Sequence, residues 1–230
     1  MAKTPSDGTR ELKKRVKTAR GRSNSSVRWL NRQINDPYVS RAKREGYRSR
    51  AAFKIMELDD KFGWMKPGKT VLDLGAAPGG WTQIAVQRVK SDPAKPSVVA
   101  IDILAMDPLP GALVVKMDFM ADDAPEAIRY LIPEGVDIVL SDMAPNTTGH
   151  AATDHLRIMG LLEAAYPFAC EVLKPGGVFV AKVFQGGTEN ELLKMMKRHF
   201  KTVKHAKPKA SRADSSEIYV VASGFHGGKG

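Results

Sequence analysis

Cysteine is nearly missing from this chain. With Cys170 the single thiol in 230 residues, an internal disulfide framework and any multi-cysteine zinc site are excluded, and the simplest setting is a reducing compartment, the cytoplasm. Long apolar runs are missing too. Nothing approaches the roughly 20 residues a membrane span needs, and the first residues lack the apolar core of a secretory leader. Acidic residues are scarce at one end only: residues 1–50 hold 15 Lys/Arg against 4 Asp/Glu, while the remainder holds 21 of each. The whole net charge of +11 therefore sits in the N-terminal fifth.

What is present is an ordinary 43% apolar content, enough for one domain with a sizeable core. The basic stretch Arg10, Lys13, Lys14, Arg15, Lys17, Arg20 and Arg22 has few neighbours able to enter that core. Residues 1–45 are accordingly expected to be a basic arm, disordered in part. One-sided charge of this kind suits a phosphate backbone, where affinity comes from counterion release; the competing account is a solubilising tail. An Arg-rich, acid-poor start also has the composition of an organelle transit peptide, but without the amphipathic periodicity of one.

Beyond the arm, strands and helices alternate. Ser49 is placed to cap a helix to about Phe62, with Ala51, Ile55, Leu58 and Phe62 along one face. Strands are expected at Thr70–Leu74, Ser97–Ile101, Ala112–Lys116, Val136–Leu140 and Val178–Lys182, with helices near 81–89, 122–131, 153–173 and 189–200 between and after them. Lys174-Pro175-Gly176-Gly177 reads as a helix stop. Thr202–His205 and Glu217–Ala222 are candidates for an antiparallel edge. The fold class is α/β, a three-layer doubly wound and mostly parallel sheet, over residues 46–223, with a Gly-rich tail from Gly224 to Gly230.

In such a sheet, ligands bind where the strands end. The first strand runs into Asp73-Leu74-Gly75-Ala76-Ala77-Pro78-Gly79-Gly80-Trp81, whose glycines let backbone approach a ligand and turn into a helix. It is neither a P-loop nor the G-x-G-x-x-G dinucleotide fingerprint. This segment resembles the defining motif of the FtsJ-type RNA ribose 2′-O-methyltransferases. The resemblance implies a Rossmann-like methyltransferase fold and S-adenosylmethionine as cofactor, with Gly79 and Trp81 at its methionine part. It further implies Asp102 at the ribose hydroxyls, Asp118 at the adenine amino group, and Asp142 near the methyl group.

Four further contexts match the family's Lys-Asp-Lys-Glu tetrad: Tyr47-Arg48-Ser49-Arg50-Ala51-Ala52-Phe53-Lys54, Ser141-Asp142-Met143-Ala144-Pro145-Asn146, Lys182-Val183-Phe184-Gln185-Gly186 and Ser215-Ser216-Glu217-Ile218-Tyr219. By that resemblance Lys182 orients and deprotonates a 2′-hydroxyl, Asp142 positions Lys182, and Lys54 and Glu217 complete the network. The reaction is an in-line displacement that calls for no metal. Read alone, Lys54 would pair with Glu57 one turn on, and Glu217 would be an edge-strand charge.

Rival chemistries fit poorly. Covalent methylation of a base carbon needs a cysteine nucleophile, and Cys170 falls mid-helix. Methylation of an adenine amino group goes with Asn/Asp-Pro-Pro-aromatic, where this chain has Asp142-Met143-Ala144-Pro145. The expected partner is RNA, held by the arm and by residues near Tyr47, Arg48 and Arg50, with no obligate protein partner. Family members of this size act on a uridine ribose of 23S ribosomal RNA in the large subunit. A transfer-RNA ribose methyltransferase of the same family and a non-catalytic ribosome-assembly factor are the alternatives.

Overall fold

A computed structural model describes residues 24–145, 150–184 and 189–227. The basic residues Arg10 to Arg22, Asn146, Gln185, Gly186 and the last three residues of the tail lie outside the described residues.

The segment expected as an arm is helical from Asn24. Helix α1 spans Asn24–Ile34 and α2 Pro37–Glu45. The signal for α2 is local: the Asp36 side chain accepts from the Tyr38 N–H at 3.0 Å, Pro37 occupies the first turn, and Gly46 ends the helix with a φ of 76°. The helix is seated by Ala42, which packs with Phe53 and Ala210. Asp36 is buried and pairs with both Arg50 and Arg212. These residues lash the helical pair to the domain.

Helix α3 (Ala51–Phe62) begins one residue after Arg50 with no side-chain cap. Ser49 therefore does not cap it; its Oγ is buried without a hydrogen-bond partner. Strand β1 (Val71–Leu74), helix α4 (Gly80–Val89) and strand β2 (Val98–Asp102) form the first crossover unit. Next come β3 (Ala112–Lys116), α5 (Ala124–Leu131), β4 (Val136–Ser141), α6 (Ala151–Val172), β5 (Leu173–Phe184), α7 (Glu189–His199), β6 (Phe200–Ala206) and β7 (Glu217–Phe225). Two boundaries differ from expectation. The Lys174–Gly177 segment belongs to β5, with Gly176 at φ 83° and a register shift opposite Val136 and Ile138. Gly224 and Phe225, assigned to the tail, continue β7, where Phe225 pairs with Phe200.

The seven-stranded sheet has the order β3-β2-β1-β4-β5-β7-β6. All neighbours are parallel except β7, which runs antiparallel to both β5 and β6. Side chains alternate across it with a period of two. Leu72, Leu74, Val99, Ile101 and Val139 pack under α5, α6 and α7, while Val71, Val98, Ile138, Leu140, Val178 and Val180 pack under α3 and α4. Both faces are covered over β1, β2 and β4, which is why these strands read as apolar runs, whereas edge strand β3 stays half-exposed. Among the described residues no helix is long and apolar enough to cross a membrane.

Candidate active site

The sheet's alternation assembles the tetrad. Val178, Val180 and Lys182 share the α3/α4 face of β5, and Lys182 pairs in register with Tyr219 of β7, so Glu217 and Tyr219 come to the same face at the same rim. Asp142 follows the end of neighbouring β4, and Lys54 descends from α3. All four tetrad residues meet. Lys182 Nζ donates to Asp142 Oδ1 at 2.9 Å and to its carbonyl at 2.7 Å, and Lys54 Nζ donates to Glu217 Oε1 at 2.6 Å. Lys54 thus pairs across the fold with Glu217; Glu57 instead accepts from Tyr38 and from the Ala210 N–H.

Tyr219 joins the two pairs. Its hydroxyl lies 3.0 Å from Asp142 Oδ1, 3.1 Å from Glu217 Oε1 and 3.2 Å from Lys54 Nζ. A phenol has one proton to give. With Lys54 donating to it, Tyr219 can serve one carboxylate at a time. Burial, and then the charges of Asp142 and Glu217, push the phenol well above its ordinary pKa, so it remains a donor. Burial also pushes Glu217 up, but the Lys54 charge and hydrogen bond, the Lys182 charge and the Ser211 hydroxyl outweigh it and hold the carboxyl below its usual value. Sequence reasoning passed over Tyr219, although its place two residues beyond Glu217 on a strand puts both side chains on one face.

The network stands between two cavities. One, about 620 Å³, is lined by Gly75, Ala77, Asp102, Asp118 and Asp142 and walled by Ile103, Leu104 and Phe119. The other, about 340 Å³, is polar and lined by Arg32, Arg50, Lys54, Arg212, Ser215 and Glu217. Asp102 accepts the Ala77 N–H at 2.9 Å and the Leu104 N–H at 2.7 Å on different oxygens. Each oxygen keeps a lone pair for a ligand. Asp118 accepts the Met120 N–H at 2.9 Å on Oδ1, leaving Oδ2 without a protein partner among the described residues.

The loop glycines serve the protein's own packing. A Cβ on Gly75, whose φ is +77°, would lie 2.8 Å from the backbone N and Cα of Met143. The first turn can thereby press against the segment carrying Asp142. Gly79 makes room for Arg48 and Met106, and Gly80 for Ser49. Trp81 is buried: its indole N–H donates to the Ala51 carbonyl at 2.9 Å and its ring packs against Tyr219. Its side chain braces the tetrad from below, and neither Gly79 nor Trp81 is part of the larger cavity's lining.

Asp73 lies beneath the loop. It is fully buried, Oδ2 accepts from Thr82 at 2.7 Å, and Oδ1 has no partner. Burial, reinforced by the charges of Asp142 and Asp102 and opposed by the Thr82 hydroxyl, pushes its pKa up to about 7. Cys170 is half-buried, its Sγ 3.7 Å from His199 Nδ1, and burial raises the thiol. It is remote from the network and poorly suited to attack.

The model for FtsJ-like methyltransferases matches residues 47–225. The chain belongs to this family. It is similar to "Ribosomal RNA large subunit methyltransferase E" of Parvibaculum lavamentivorans, 60% identical over 227 residues covering 96% of this chain and 89% of the relative. It is equally similar to the protein of that name from Paramagnetospirillum magneticum, 60% identical over 225 residues, 97% of this chain and 92% of the relative. Among solved structures, one described as a ribosomal RNA methyltransferase from Plasmodium falciparum superposes with a TM-score of 0.70 at 32% identity, covering 79% of this chain and all of its own. In this FtsJ-like methyltransferase, then, the α/β fold and the family agree. Of the residues expected near RNA, Arg50 lines the basic cavity while bound to Asp36 and the Ala210 carbonyl, whereas Tyr47 packs edge-on to Phe53 and Arg48 is bonded to backbone carbonyls.

Proposed function

We propose that this methyltransferase transfers a methyl group from S-adenosylmethionine to the 2′-hydroxyl of a uridine ribose in 23S ribosomal RNA, within the large subunit in the cytoplasm. The observation that carries the reading is the continuous Lys182–Asp142–Tyr219–Glu217–Lys54 network on the wall between an acid-lined cleft and a basic cavity. The larger cleft fits the cofactor. Its volume lies within the range of small-ligand sites, about 300–1,000 Å³, its carboxylates suit a cationic, hydroxyl-rich ligand, and its apolar wall suits an aromatic base.

Asp102 would hold the cofactor's ribose, Asp118 its base and the Gly75–Ala77 turn its amino-acid end; the cofactor would supply the methyl group. The basic cavity, with Arg32, Arg50 and Arg212, would receive the RNA backbone. From there a 2′-oxygen reaches Lys182. In its neutral form Lys182 takes the hydroxyl proton while Asp142, through Oδ1 and its carbonyl, fixes the amine and stabilises the resulting ammonium. Lys54 and Glu217 complete the wall on which the ribose is aligned.

The test is Lys182→Ala. It should retain cofactor binding and lose methyl transfer by about 100-fold or more, the scale of a positioned general base; near-normal turnover would remove Lys182 from this role. Incubation with labelled cofactor and separated transfer RNA, free ribosomal RNA and large subunits, followed by mapping of the modified nucleotide, checks the substrate. Label confined to transfer RNA would replace the ribosomal assignment.

A further inference from the structure

Arg48 lines neither cavity, yet it ties together two loops that shape the larger one. Its Nη1 donates to the Asp107 carbonyl at 2.8 Å and, at a longer 3.5 Å, to that of Pro78; its Nη2 donates to the Pro108 carbonyl at 2.7 Å. Pro78 belongs to the glycine loop. Asp107 and Pro108 belong to the segment between β2 and β3, whose Ile103 and Leu104 wall the cleft while remaining 58% and 64% exposed. Among the described residues, no other hydrogen bond from a distant element reaches residues 103–108; the Leu104 N–H bond goes to adjacent Asp102.

The fit around the guanidinium is close. A Cβ on Gly79 would lie 2.8 Å from Arg48 Nη1, 2.9 Å from its Cδ and 2.9 Å from Met106 Sδ. The Arg48 backbone is anchored in turn: its N–H donates to Gln83 Oε1 at 2.7 Å, and Gln83 Nε2 donates to the Gly46 carbonyl at 3.0 Å. Two nitrogens of a rigid fork meeting consecutive carbonyls is a geometry that a lysine ammonium cannot reproduce.

We propose that Arg48 is a positioning residue for the cofactor: by bridging the glycine loop and the 103–108 segment it fixes the cleft wall beside Asp102 and sets cofactor affinity, not RNA affinity. This rests on reading the cleft as the S-adenosylmethionine site. Without the bridge, Ile103 and Leu104 hang from Asp102 alone and must be ordered by the ligand itself, which weakens binding. The methyl-transfer network is untouched, so turnover at saturating cofactor changes little.

The experiment titrates the full chain with S-adenosylhomocysteine by calorimetry, comparing wild type, Arg48→Lys, Arg48→Ala and Asp102→Ala, and measures KM for cofactor, kcat, and RNA affinity against salt. Arg48→Ala should raise Kd and KM for cofactor about tenfold, as loss of charge-assisted hydrogen bonds implies, with kcat within about threefold and the salt slope of RNA binding unchanged. Arg48→Lys should fall between, and it decides the matter if Arg48→Ala does not fold. Wild-type cofactor affinity in Arg48→Lys, or in Arg48→Ala together with a salt slope shallower by roughly one, would overturn the proposal and make Arg48 a phosphate contact. Failure of the wild-type chain to bind the probe would instead overturn the cofactor reading. Binding lost in Asp102→Ala but not in the Arg48 variants would leave the cofactor reading standing and defeat this one.

Discussion

The Tyr219 hydroxyl faces two carboxylates and one ammonium with a single proton. Its removal tests whether the network acts as a unit. Tyr219→Phe keeps the ring packed on Trp81 and deletes only the bridge, so cofactor affinity should persist while single-turnover methyl transfer falls about tenfold, the worth of a hydrogen bond to a charged group. An unchanged rate would make the tetrad two independent pairs. Asp73 yields a prediction of opposite character. Its folded pKa of about 7 lies above the ordinary carboxylate value, so the folded state binds the extra proton and stability falls as pH rises from about 4 to about 7. About three units correspond to about 4 kcal/mol. Asp73→Asn, which does not titrate, should gain on wild type in urea denaturation across that interval and keep a constant margin above it; a margin independent of pH would show that Asp73 does not titrate there. Lys54, Asp142, Lys182 and Glu217 could be singled out because the family's tetrad names each of them, and the fold brings them together. Tyr219 and Asp73 lie in the same motif stretches but were not singled out, since a buried tyrosine on a strand and an aspartate two residues before a glycine look alike whether they pack or act.

At the scale of elements, legibility followed apolar content. The inner parallel strands β1, β2 and β4 announce themselves because both faces are buried, whereas α2 buries only Ala42 fully and, like α1, carries no apolar run that separates it from an arm. The Asp36-Pro37 start and Gly46 stop were there to be read, but the seat of α2 depends on Phe53 and Ala210, far along the chain. The glycine loop shows the converse. Its glycines were visible, but not that they also make room for protein atoms, those of Met143, Arg48, Met106 and Ser49. Gly75→Ala should therefore destabilise the fold even without cofactor, by about 2 kcal/mol or more. The left-handed φ alone costs about 1–2, and the new Cβ meets Met143 backbone that cannot rotate away. A loss under about 1 kcal/mol in denaturant titration would mean that the loop yields, and that its close approach to the Asp142 segment is not enforced.

Over the whole molecule, net charge located the basic excess but did not show what holds it. After residue 50 the cations and acids balance in number, yet Lys197, Arg198, Lys201, Lys204 and Lys209 stand exposed on α7, β6 and beyond, and among the described residues they have no ion-pair partner. The N-terminal excess divides into a part preceding α1 and a part lashed to the domain by Asp36, Arg50 and Arg212. The two parts should respond differently to truncation. Removing residues 1–23 takes away cations without touching the Asp36 pairs, so it should weaken RNA binding at low salt and flatten the salt slope while leaving the melting temperature within about 2 °C. Removing residues 1–45 should flatten the slope further and also lower the melting temperature, because Phe53 is uncovered and Arg50 and Arg212 lose their shared carboxylate next to the basic cavity. Equal melting temperatures for the two truncations would show that α1 and α2 contribute nothing to the fold, and an unchanged salt slope in both would return the basic segment to the role of a solubilising tail.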